Sequence, residues 1–169
     1  ADRGPGYDTS YGDWQTTKLF RVTQGMTADG ANAVADWGER NMGDPQTLID
    51  FVTWSKANYP ADHYVLYFWG HGWNWHRGTT MEDYSSEDSL DPDEVKKILP
   101  KLGFIDLVAY DGCNMASIEV GSLWRNNAAA LVHSQEYVEW DGIEYDTVLK
   151  KLNENPLLTA EQLAVITNQ

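Results

Sequence analysis

The sequence predicts a layered α/β protein built on a mostly parallel sheet, and three observations predict it. Two predominantly apolar runs, at residues 64–69 and 105–110, the second interrupted only by Asp106, read as strands buried on both faces, as in parallel sheets. Segments with helix signals separate the strand-like runs, in the order β-α-β-loop-α-β-α-β-α. The chain has 169 residues and 42% hydrophobic content, enough for one domain with a substantial core.

Residues 1–15, rich in Gly, Tyr and Asp, read as a loop. Residues 16–23 alternate polar and apolar side chains and predict a strand, and residues 25–38 read mostly as loop. Asp44 is a good helix N-cap and Pro45 suits the first helical position, so a helix is expected over 46–58, with Leu48, Ile49, Val52 and Trp54 on its apolar stripe. Tyr59-Pro60 ends it. The first apolar strand follows over 63–69 and runs into Gly70-His71-Gly72. Residues 72–91 carry no clear periodicity, and a loop this long in a compact domain is usually functional or mobile.

Asp91-Pro92 starts a second helix, which Gly103 terminates. The second apolar strand runs into Asp111-Gly112-Cys113. Residues 115–124 predict a helix beginning directly after the cysteine, and 128–134 a third apolar strand. Trp140-Asp141-Gly142 reads as a turn, 145–152 as a short helix, and Thr159 as the start of another.

The net charge of −14 argues against nucleic acid, since phosphate binding needs clustered Lys and Arg, and against anionic membrane surfaces. It favours basic partners weakly, and solubility alone would also account for it. No run of about 18 apolar residues occurs, so membrane insertion is not expected. Cys113 is the only cysteine, so no intramolecular disulfide forms. No signal segment is visible.

In open α/β sheets ligands bind where the carboxyl ends of the strands emerge. A His-Gly and an Asp-Gly-Cys therefore come out at one edge of one sheet, which is the geometry of a cysteine nucleophile with a histidine partner. A thiolate attacks carbonyls and a thiol scarcely does, so Cys113 needs an adjacent base or a stabilised charge. His71 is the natural acid–base partner, and the helix expected after Cys113 would favour a thiolate through its N-terminal amides. Gly72 and Gly112 let backbone amides approach a substrate, so those of Gly72 and Cys113 form a candidate oxyanion hole. A lone Cys is more often inert core and a lone His more often structural; their paired occurrence after two apolar strands shifts that balance.

The chain resembles the clostripain-like cysteine peptidases, relatives of caspases, legumains and gingipains. The resemblance rests on Asn41-Met42-Gly43-Asp44-Pro45 with Thr47-Leu48, on Tyr59-Pro60-Ala61-Asp62-His63-Tyr64 and on Trp69-Gly70-His71-Gly72. It continues through Asp111-Gly112-Cys113-Asn114-Met115, Ser134-Gln135-Glu136 and the Asp141-Gly142 turn with Tyr145, in the family's order. It implies a caspase-like three-layer α/β/α sandwich, a His71–Cys113 dyad and endopeptidase activity after Arg, sometimes Lys, on peptide or protein substrates. By position it implies Asp111 as the S1 carboxylate that holds the basic side chain, with Asp141 as a second carboxylate of that pocket. A guanidinium in a narrow pocket does need a carboxylate partner. Capping of the following helix is the alternative for Asp111, and an ordinary turn aspartate the alternative for Asp141.

Relatives can mature by self-cleavage between the His and Cys motifs, which makes Arg77, followed by Gly78, a candidate self-processing position; a surface arginine is the alternative. Relatives carry an earlier strand before the point where this chain starts and continue past Gln169, so residues 1–169 are expected to form a single, partial peptidase domain. Relatives are often exported, which implies an extracellular or cell-envelope location. No cofactor is required. Some relatives use calcium, which the acidic runs Glu82-Asp83 and Glu87-Asp88 could bind, although they match no EF-hand loop and a solvated acidic face also accounts for them. His71 and His76 with Glu82 and Asp83 fit no tetrahedral zinc spacing, and His63 and His133 are expected to be structural. The alternative function is a non-catalytic peptide- or carbohydrate-binding domain, with Trp73, Trp75 and Trp140 as an aromatic platform. A serine hydrolase lacks its Gly-x-Ser-x-Gly elbow.

Overall fold

A computed structural model describes residues 11–12, 14–76, 82–83, 85–139 and 141–168, with the side chains of His76 and Glu82 excepted. Arg77, Gly78 and Trp140 lie outside the described residues. Three strands form the central sheet: β3 (Val65–Trp69), β6 (Ile105–Asp111) and β7 (Ala128–Val132), in the order β3-β6-β7 and all parallel. β1 (Lys18–Leu19) and β2 (Ala35–Asp36) pair antiparallel as a separate ribbon, as do β4 (Glu82–Asp83) and β5 (Asp88–Ser89).

The helices are α1 (Pro45–Asn58), α2 (Pro92–Leu102), α3 (Ile118–Trp124), α4 (Tyr145–Glu154) and α5 (Ala160–Thr167). Their starts are chemically marked. The Asp44 side chain accepts from the Gln46 amide, and Asp91 forms a reciprocal capping box with Glu94. Gly103 closes α2 at φ +71°, a conformation that glycine reaches without steric penalty.

The sheet is covered on both faces, which makes a three-layer α/β/α sandwich. On one side, Leu48 and Val52 of α1, Val95, Ile98, Leu99 and Leu102 of α2, and Val120 and Trp124 of α3 pack on Leu66, Phe68, Val108 and Tyr110. On the other, Val148 of α4 and Leu163 of α5 close over Leu107. The first layer has a polar tie at its centre, where the Trp124 Nε1–H donates to the Tyr110 hydroxyl at 2.8 Å. Phe68 stacks on Tyr110 with ring centroids 4.8 Å apart.

Several local expectations are corrected. β1 is two residues rather than the eight of 16–23, and the 25–38 stretch supplies its partner β2 and a short 3-10 turn, Gly30–Asn32. The unstructured 72–91 segment contains the 3-10 turn Asn74–His76 and the β4–β5 pair. β6 is buried along nearly its whole length, but β3 is not two-sided: Val65 and Trp69 are exposed while Leu66 and Phe68 are buried. β3 borders the described sheet, so only its α1–α3 face is well covered. The third helix does not begin after Cys113. Asn114 takes φ +56°, and the Asn114 and Ala116 amides donate to the carbonyls of Glu136 and Ser134. Those amides are thereby withdrawn from a helix, which starts only where Ser117 caps the Val120 amide.

Candidate active site

The parallel pairing of β3 with β6 sets the level of the two strand ends. Trp69 is in register with Asp111, and the Gly70 amide donates to the Asp111 carbonyl at 3.2 Å. His71 and Cys113 each lie two residues beyond that registered pair, so they leave neighbouring strands at the same level. Gly72 is buried directly against the second motif: a Cβ at this position would stand 2.1 Å from the Cys113 carbonyl oxygen and 3.0 Å from its amide nitrogen. Only glycine permits that approach. Outside the strands, the amides of Gly72 and Cys113 donate to no backbone carbonyl among the described residues.

His71 is exposed, with its ring centroid 6.2 Å from that of Trp73. Trp73 and Trp75 are each about half exposed. Cys113 is partly buried and reduced. The N–H that reaches its sulfur comes from Val138, at 3.4 Å, and not from a helix start. The segment that donates it is held across the motif by the two bonds from Asn114 and Ala116 already described.

Asp111 ends β6 and is only 4% exposed. The Ile143 amide and the Tyr145 hydroxyl donate to its Oδ2, at 3.2 and 2.8 Å. Gly142, at φ +60°, lies on the face of the carboxylate: a Cβ there would stand 2.6 Å from Oδ2 and 2.9 Å from Oδ1. Asp141, the residue before it, is exposed. Among the described residues no Lys, Arg or His forms an ion pair with Asp111, and no donor reaches Oδ1. Oδ1 therefore keeps acceptor capacity that the described residues do not use. The capping alternative for Asp111 fails on geometry, since the cap of α3 is Ser117.

Reasoning from local pattern gave Tyr145 no role at the site, yet its hydroxyl reaches the Asp111 carboxylate. Its only sequence signal is its position three residues after the Asp141-Gly142 turn. Burial, and then the hydrogen bond to Asp111, push its phenol well above the ordinary tyrosine range, so it stays a proton donor. Tyr67 of β3 packs edge-on against it at 5.4 Å, and the Tyr67 hydroxyl lies 3.0 Å from Oγ1 of Thr167.

The remaining candidates are structural ties. His63 Nδ1 lies 2.8 Å from an Asp106 carboxylate oxygen, and His133 Nδ1 lies 2.9 Å from the Met115 carbonyl. Asp83 accepts from the Met42 and Ser86 amides and the Ser85 hydroxyl, and Asp88 from Asn41 and the Ser89 amide. Each of these carboxylates thus spends acceptor capacity on tying its own loop. Among the described residues no cluster of three or more His, Cys, Asp or Glu side chains is arranged to hold a metal, and no helix is long and apolar enough to cross a membrane.

Three comparisons bear on this geometry. The sequence profile of the clostripain family matches residues 14–167. Clostripain from Hathewaya histolytica is 28% identical over 183 aligned residues, which cover 89% of this chain and 34% of that protein. A secreted C11 cysteine protease from Bacteroides thetaiotaomicron, solved in complex with an irreversible peptide inhibitor, superposes with a TM-score of 0.70 at 21% identity, over 81% of this chain and 40% of that one. An inactive zymogen C11 protease from Parabacteroides distasonis gives 0.59 at 21% identity, over 80% and 38%. The chain therefore spans between a third and two fifths of the length of the relatives it matches.

Proposed function

We propose, from the premise that this chain belongs to the clostripain family, that it carries the catalytic dyad and S1 carboxylate of a cysteine endopeptidase cutting after Arg or Lys. The observation that carries the reading is the meeting of the two strand ends: Trp69 and Asp111 are in register, and Gly72 packs on the backbone of Cys113. In this reading the Cys113 thiolate attacks the scissile carbonyl, and its proton resides on His71. The amides of Gly72 and Cys113 hold the developing oxyanion. His71 then protonates the leaving amine, and water, deprotonated by His71, releases the acyl-enzyme. Every group in these steps comes from the chain, so no cofactor is assigned a step, calcium included.

The basic specificity rests on Asp111, whose buried carboxylate lacks a cation among the described residues; a substrate guanidinium or ammonium would supply it. Asp141, exposed on the same turn, is the second carboxylate at the pocket's rim. Arg77 is the self-processing position, and export from the cell accords with the secreted relative. The experiment is kinetic. Full-length protein is assayed on fluorogenic peptides ending in Arg, Lys or Asp. Cleavage of the Arg and Lys peptides that is lost in Cys113→Ala and in His71→Ala supports the reading; folded, fully processed protein that cuts none of the three overturns it. Intact-mass analysis tests Arg77: a cut after it in wild type and none in Cys113→Ala is expected, and identical banding of the two removes the assignment.

A further inference from the structure

Asp111 has two oxygens, and the fold treats them differently. Oδ2 receives both described donors, the Ile143 amide and the Tyr145 hydroxyl, while Oδ1 receives none among the described residues. A carboxylate oxygen has about two lone-pair sites, so two donors fill Oδ2. A carboxylate with one oxygen pinned by a hydroxyl and an amide has lost its freedom to rotate about its Cβ–Cγ bond.

We propose that Tyr145 is a positioning residue for substrate specificity: its hydroxyl locks the Asp111 carboxylate so that Oδ1 is presented to the basic side chain of the substrate. This rests on the reading of Asp111 as the S1 carboxylate and adds to it the group that aims it. Three features outside that hydrogen bond support it. Gly142 lies against both oxygens, so the turn it belongs to closes one side of the carboxylate. Tyr145 is braced from behind by Tyr67, itself tied to Thr167 of α5, so the hydroxyl is held by β3, α4 and α5 together. The phenol stays protonated, because burial and the adjacent carboxylate both oppose its ionisation. An acceptor oxygen with no donor among the described residues takes a charge-assisted hydrogen bond end-on, from an ammonium or a guanidinium alike, so Arg and Lys substrates depend on Tyr145 together.

The test uses full-length protein and three peptides that differ only at the cleaved residue: Arg, Lys and citrulline, the last being neutral and nearly isosteric with Arg. Tyr145→Phe keeps the ring and its contact with Tyr67 and removes only the hydroxyl. It should raise KM for the Arg and Lys peptides about tenfold with little change in kcat. The citrulline peptide should be unaffected, and Tyr145→Phe should have no further effect in an Asp111→Asn background. Equal loss on all three peptides, or no change on any, overturns the proposal. A wild type with no preference for Arg and Lys over citrulline, or a preference that survives Asp111→Asn, is a different failure: it removes Asp111 from the S1 role, and Tyr145 with it.

Discussion

Gly72 lies so close to Cys113 that a methyl group on its Cα would stand 2.1 Å from the Cys113 carbonyl oxygen. This contact joins the two motifs at the backbone, independently of any side chain. It explains why a glycine follows the histidine: the strand ends meet only if one of them has no Cβ.

Gly72→Ala is therefore expected to be damaging. The methyl would also meet Cys113 N at 3.0 Å and Met115 Cγ at 2.8 Å, and backbone cannot yield as a flexible side chain does. Relieving the overlap should cost about 3 kcal/mol of stability. The shift of the Cys113 loop should lower kcat about a hundredfold, since a displacement near 1 Å is enough for that. Thermal melts and kcat on an Arg peptide check both.

Gly142→Ala probes the turn over Asp111. A Cβ there would overlap the carboxylate, and φ +60° adds a steric penalty of about 1–2 kcal/mol for any other residue. The expected outcome is a fall in kcat/KM for Arg and Lys peptides that exceeds the fall for a citrulline peptide. That ratio is read directly from progress curves on the three substrates.

Asp83 links the 41–43 segment to the β4–β5 pair. Burial opposes its ionisation, but the hydrogen bonds from the Met42 amide, Ser85 and Ser86 outweigh that and hold its pKa below the ordinary 3.8. A carboxylate whose pKa is lower folded than unfolded stabilises the fold above the unfolded value and loses that contribution as pH falls through the folded one. Asp83→Asn should therefore cost about 2 kcal/mol at pH 7. The difference between variant and wild type should begin to shrink near pH 4 and continue to shrink below it. Urea unfolding of the two proteins across pH 7 to 3 measures the difference.

Much of this was legible in the sequence, and the illegible part has identifiable causes. Asp44-Pro45, Asp91-Pro92 and Gly103 announce their helix ends because caps are local chemistry, and β6 is recognisable because all of its run but Asp106 and Asp111 is apolar. Position 69 was misleading: an apolar run suggested a two-sided strand, yet Trp69 is 74% exposed because burial depends on which neighbours cover the strand. The late start of α3 was equally hidden, since the Asn114 and Ala116 amides are taken by Glu136 and Ser134 some twenty residues away. In the site, His71, Gly72, Asp111 and Cys113 stand out by motif. Tyr145 appears there only beside the Asp141-Gly142 turn; its contact with Asp111 does not, because that partner is 34 residues distant and only the fold brings the hydroxyl to the carboxylate.

Cys113 is proposed as a nucleophile served by a pocket for basic side chains. Covalent labelling tests it most directly. Folded full-length protein is treated with an arginyl chloromethyl ketone or its aspartyl counterpart, and the site of the adduct is mapped by peptide mass spectrometry. A single arginyl adduct on Cys113, suppressed by excess Arg peptide and absent with the aspartyl reagent, is the predicted result. An unmodified Cys113, or equal labelling by both reagents, would contradict the account.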